Sequence, residues 1–102
     1  MNINEKDYYK IIDYLHLNQL DIDKSFFPKV IGNGQSNPTF LIQDKNLQFK
    51  VLRMQPTGDL VRGAHRVDRE FLVLKALRDK DFIVPKPVFL CEDSSIIGRQ
   101  FY

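Results

Sequence analysis

The turn Gly32-Asn33-Gly34-Gln35-Ser36-Asn37-Pro38 constrains the chain most, because it separates two short apolar runs, residues 26–31 and 39–42, whose β-branched and aromatic content marks strands. The local order is therefore strand, glycine-rich turn, strand. Gly32 and Gly34 can take positive φ and leave the backbone bare, while Ser36 and Asn37 add short polar groups and successive N–H donors. Such a turn suits an anion, above all a phosphate. Pro38 has no N–H and holds Asn37 extended, so the chain leaves the turn directly into the second strand. A plain glycine-rich hairpin fits the same residues, since G-x-G-x-x-N is neither the dinucleotide fingerprint nor the Walker loop.

A chain of 102 residues is one small domain, burying roughly 60–65% of the surface its unfolded form exposes, so its core is thin. With 43% hydrophobic residues, 27% charged residues and a net charge of +2 from scattered basic side chains, the composition argues against nucleic acid as a partner. Cys91 is the single cysteine and cannot form an internal disulfide, and the polar start, residues 1–7, has no apolar signal core. These features point to a reducing, cytoplasmic setting. No apolar run is long enough for a membrane helix, and there is no internal repeat. His16 has no second His, Cys or acid cluster at metal spacing, and the adjacent Glu92 and Asp93 read as a solvated turn.

Along the chain, Tyr8, Ile11, Ile12 and Leu15 recur at helical spacing, which predicts an amphipathic helix over residues 4–17 with Asn4 as N-cap. A polar connection at 18–24 leads into the first strand. After the glycine turn, the strand at 39–43 should pair with a third at 47–53 across Asp44-Lys45-Asn46. Alternation then puts Leu47, Phe49, Val51 and Arg53 on one face and Gln48, Lys50, Leu52 and Met54 on the other. Arg53 either reaches solvent from a strand end or presents its planar fork below the glycine turn, where it could grip phosphate bidentately.

Pro56 to Asp59 break the strand, and a second helix is expected from Leu60 or Ala64 to Arg78, with Ala64, Val67, Phe71, Leu74 and Leu77 on one face. Glu70 borders that face. It could be solvated, pair with Arg66 one turn back, or point at the sheet and pair with Arg53. Pro85-Lys86-Pro87 cannot be helix. Residues 88–91 read as a fourth strand and 96–102 as a turn into a fifth. Cys91 lacks a positioned His or Asp and reads as a small buried hydrophobe.

Six segments, Gly34-Gln35-Ser36-Asn37-Pro38-Thr39-Phe40, Val51-Leu52-Arg53, residues 64–71, residues 73–77, Val84-Pro85-Lys86-Pro87 and Ile97-Gly98-Arg99-Gln100-Phe101-Tyr102, resemble the aminoglycoside-phosphotransferase superfamily in order and spacing. The nearest branch is the kinase-like domain associated with acyl-CoA dehydrogenases, and the match runs from about Ile11 to Tyr102. The resemblance implies an α+β fold, the small lobe of the protein-kinase-like fold: a five-stranded antiparallel sheet with an N-terminal helix and one helix packed on the sheet. It implies that Gly32, Asn33, Gly34, Gln35, Ser36 and Asn37 cover the phosphates of ATP. Arg53 takes the place of the phosphate-gripping lysine of strand three, and Glu70 that of its helix partner. The chain departs from the protein-kinase form in having Asn37 where a third glycine would stand and Arg53 in place of lysine.

Phosphoryl transfer in that superfamily also needs a catalytic aspartate in a His-Gly-Asp-type loop, a nearby Asn and an aspartate for Mg²⁺, all carried by a larger helical lobe. None of these is present in the 102 residues. The expectation is an ATP-binding N-terminal lobe, inactive alone, with Mg²⁺ relevant only to a complete enzyme and a C-terminal lobe or downstream polypeptide as partner. The branch favours a hydroxyacyl-CoA-like acceptor over an aminoglycoside. A non-catalytic remnant, serving as a weak nucleotide-binding or protein-interaction module, is the alternative. Because a small lobe of this fold leans on a large one, an apolar patch should be exposed near the glycine turn and the fifth strand, which would make the isolated chain prone to association.

Overall fold

A computed structural model describes residues 3–32, 37–56 and 66–102. The first helix, α1 (Glu5–Leu17), forms as its periodicity predicts. The Asn4 side chain accepts from the Lys6 N–H at 2.8 Å, and Glu5 and Asp7 place negative charge at the positive end of the helix dipole. All four stripe residues, Tyr8, Ile11, Ile12 and Leu15, are buried. The helix stops at Asn18, and Gln19 turns the chain away with a φ of 62°.

Among the described residues three strands, rather than the expected five, make up the sheet: β1 (Lys29–Val30), β2 (Thr39–Gln43) and β3 (Phe49–Arg53), antiparallel in the order β1-β2-β3. β1 is short because Pro28 supplies no N–H, although Ile31 still donates to the Thr39 carbonyl at 3.0 Å. The β2–β3 turn is longer than expected. The Asp44 carboxylate accepts from the backbone N–H of both Asn46 and Gln48, and Leu47 sits at φ 64°, so residues 44–48 all belong to the turn. The register moves by two residues and sets Thr39 opposite Arg53 and Gln43 opposite Phe49. A shift of two keeps every side chain on its expected face.

The two sheet faces have different fates. Phe40, Ile42, Leu52 and Met54 point to one side and form the core with Tyr8, Ile11, Ile12 and Leu15 of α1. Thr39, Phe49, Val51 and Arg53 point to the other, where Phe49 and Val51 remain exposed. Residues 88–91 do not ladder onto the sheet: in the antiparallel register of the bridge between Cys91 and Phe101, Leu90 falls opposite Tyr102 and residues 88 and 89 face no described residue. The expected fourth and fifth strands are reduced to isolated bridges: Phe101 lies between Met54 and Cys91. Tyr102 exchanges both backbone hydrogen bonds with Arg53 at 2.8 Å.

The second helix, α2 (Val67–Asp79), carries Glu70 in its first turn. Its predicted start at Leu60 or Ala64 lies outside the described residues. Among the described residues of the predicted apolar face only Val67 is fully buried, and a cavity of about 890 Å³ separates Val73 and Leu74 from Phe49 and Val51. The helix is therefore anchored through its N-terminal half and stands off the sheet further along.

Candidate functional site

Arg53 is the last residue of β3, and its alternation carries the guanidinium to the face that α2 approaches. There the two charges meet. Arg53 Nε donates to Glu70 Oε1 at 2.6 Å and Nη2 donates to Oε2 at 3.2 Å, a fork on both carboxylate oxygens. Arg53 Nη1 donates to Thr39 Oγ1 at 2.7 Å, which the register places directly across the strand pair. Arg66, the other candidate partner of Glu70, instead forks onto Asp68, whose carboxyl it holds down to about 2.

Each Glu70 oxygen takes a second donor. Asn37 Nδ2 donates to Oε2 and the Tyr102 hydroxyl donates to Oε1, both at 3.0 Å. Burial alone would raise the Glu70 carboxyl, but the hydrogen bonds and charge of Arg53, with Tyr102 and Asn37 adding to them, hold it below its ordinary value of 4.5. The same pairing raises Arg53. Burial, then the neighbouring Glu70 charge, pushes Tyr102 up to about 12, so its hydroxyl stays a donor at any ordinary pH. The cluster is thus a guanidinium fixed in orientation by one carboxylate, close to the exit of the glycine turn.

Of the predicted phosphate-covering residues, Gly32 is exposed at φ 82°, the left-handed conformation its lack of Cβ allows. Asn33, Gly34, Gln35 and Ser36 lie outside the described residues. Asn37 is buried, 3% exposed, and its side chain faces Glu70. Its carbonyl accepts from the Thr39 hydroxyl at 3.0 Å, so Asn37, Thr39, Arg53 and Glu70 close a ring of hydrogen bonds. Sequence reasoning missed Thr39 and Tyr102 as members. Thr39 could have been found only with the five-residue turn that sets the register, and nothing local marks Tyr102, whose place depends on a bridge to β3.

Among the described residues no group of His, Cys, Asp and Glu could hold a metal ion, and no helix is long and apolar enough to cross a membrane. Cys91 is buried, and burial raises its thiol.

The profile of the phosphotransferase enzyme family matches residues 28–102, from the first strand through Tyr102. The chain belongs to this family. Within it, the chain is 54% identical over 70 residues to acyl-CoA dehydrogenase family member 11 of Rattus norvegicus, a match covering 69% of this chain and 9% of that protein. It is 51% identical over 75 residues to the probable acyl-CoA dehydrogenase IBR3 of Arabidopsis thaliana, covering 70% of this chain and 9% of that one. Acyl-CoA dehydrogenase family member 10 of Mus musculus is 50% identical over 70 residues, 69% of this chain and 6% of its own length. This phosphotransferase-family chain therefore spans under a tenth of the length of the curated relatives it matches. No solved structure matches it.

Proposed function

We propose that the chain is the nucleotide-binding lobe of a kinase-like phosphotransferase, holding ATP by its phosphates for transfer of the γ-phosphoryl group to a hydroxyl. The observation that carries this reading is the Arg53–Glu70 fork beside the exit of the glycine turn. A guanidinium suits a nucleotide phosphate because its planar donors match two oxygens at once, and a carboxylate behind it fixes its orientation before the ligand arrives. This reading assigns the nucleotide phosphates to residues 32–37 together with Arg53, whose guanidinium shares the Glu70 carboxylate with the Asn37 side chain. The apolar lining of the adjoining cavity, Phe49, Val51 and Val88, offers a surface for the base.

The lobe is incomplete as a catalyst. Positioning of the acceptor, the base that takes its proton and the aspartates that hold Mg²⁺ belong to a second lobe or a downstream polypeptide, which is the partner this reading requires.

Titration of the purified chain with MgATP, followed by calorimetry and by ATP turnover, tests the proposal. Saturable binding that Arg53→Ala removes, with no turnover above background, is the expected result. Turnover by the chain alone that depends on Arg53 would refute the division of labour. Absence of any nucleotide binding would leave the protein-interaction module, which the exposed apolar face favours.

A further inference from the structure

The Glu70 carboxylate is satisfied with unusual symmetry: each oxygen accepts one bond from Arg53 and one from a residue outside the pair. The two outside donors come from distant points along the chain. Asn37 lies at the exit of the glycine turn, and Tyr102 is tied to β3 by its backbone. We propose that Asn37 and Tyr102 are positioning residues that set the pose of Arg53 by clamping Glu70 from both sides, so that the glycine-turn exit and α2 move as one unit.

Tyr102 works as a strut. Its N–H and C=O are both bonded to Arg53, which fixes its Cα against β3, and its ring then crosses to α2, meeting Phe71 edge-on at 5.8 Å and Glu70 through the hydroxyl. Because α2 stands off the sheet beyond its first turns, this crossing determines where the carboxylate sits. Asn37 closes the opposite side. Its Nδ2 faces Glu70 Oε2, and exchanging its amide oxygen for its nitrogen would set oxygen against carboxylate, so its orientation is fixed. That choice leaves the buried Oδ1 without a partner, a cost the site accepts to keep a donor on Glu70. Through the Thr39 hydroxyl the Asn37 carbonyl also reaches the atom that receives Arg53 Nη1. A shift of the turn exit is therefore felt at both ends of the guanidinium.

The role of Arg53 toward phosphate rests on the nucleotide-binding reading above; its positioning does not. Tyr102→Phe keeps the ring and removes the hydroxyl, and Asn37→Asp keeps the shape and replaces the donor by an acceptor. In the full 102-residue chain without nucleotide, each substitution is expected to speed solvent exchange of the Arg53 Nε–H, followed by ¹⁵N NMR, by about tenfold, the scale of one charge-assisted hydrogen bond. The amides of α1 should be unchanged. With MgATP, affinity should fall severalfold in both variants. Arg53 exchange unaltered in a folded Tyr102→Phe or Asn37→Asp chain would overturn the proposal; if one variant fails to fold, the other decides. Should the unaltered chain bind no MgATP while the exchange effects stand, the nucleotide reading fails and the positioning survives.

Discussion

Glu70 and Arg53 retain 33% and 23% of their side-chain exposure, so their fork is a half-wet ion pair and not a structural keystone. Its net contribution is about 1 kcal/mol at neutral pH, because solvent screens the attraction and two long side chains must be ordered. Glu70→Gln should lower stability by about that amount, measured by denaturant melting. The folded carboxyl titrates below its ordinary 4.5, so its contribution is complete above that value and is lost as pH falls through the lower folded value. Native chain and variant should therefore converge in acid. A difference that persisted would mean that the charge of Glu70 is not what matters. Arg99 shows the opposite economy: only 9% exposed, it donates Nη1 to the Gln55 carbonyl at 3.0 Å, leaves Nε without a partner, and has its pKa lowered by burial. Arg99→Met keeps the length of the side chain and removes an imperfectly compensated charge. Its melting midpoint should match or exceed that of the native chain, with a gain of up to about 1 kcal/mol; a loss of several kcal/mol would show that the carbonyl bond dominates.

The two helices have the same length and different anchorage. α1 buries a full stripe against Phe40, Ile42, Leu52 and Met54, whereas α2 buries Val67 alone and leaves Leu72 and Val73 exposed. Local stability follows buried contact, so α2 amides should exchange with solvent well before those of α1. Ile11→Val removes one methylene group from a site with no exposure and should cost about 1 kcal/mol. Leu72→Ala should stay within about 0.5 kcal/mol. Equal protection of the two helices in hydrogen exchange would contradict this ranking. Among the described residues, Asn37 at the exit of the glycine turn is tied to α2 by its hydrogen bond to Glu70.

The chain packs to a radius of gyration of 13.4 Å, close to the ~13 Å expected of a compact domain this size. Yet one side is apolar and open: Phe49, Val51, Val73 and Val88 are at least half exposed around the cavity between β3 and α2. An exposed apolar surface of this kind is a template for association. Concentration-dependent self-association is expected by sedimentation velocity. Replacing Phe49 and Val51 together by Thr should reduce it without lowering the melting midpoint, since neither side chain belongs to the core. A monodisperse monomer at high concentration would rule out this face as an unsatisfied surface.

The sequence by itself determined whatever follows from local pattern. The stripe of Tyr8, Ile11, Ile12 and Leu15 specifies α1, Asn4 caps it, and alternation assigns Arg53, Val51 and Phe49 to one face of β3. These results need only helical and strand periodicity. It also left two partners open for Arg53 and Glu70, and tertiary structure chose between them: Arg66 is taken by Asp68, and the approach of α2 to β3 brings the two candidates together. The strand count was decided there too. Residues 88–91 and 96–102 have the composition of strands, but a ladder needs a partner along its length, and the described pairing ends with Phe101 between Met54 and Cys91 and Tyr102 on Arg53, which leaves only bridges. Thr39 and Tyr102 reach the cluster through a register and a bridge spanning 14 and 49 residues of chain, and such pairings are set by the packing of the whole lobe, to which no single segment of sequence has access.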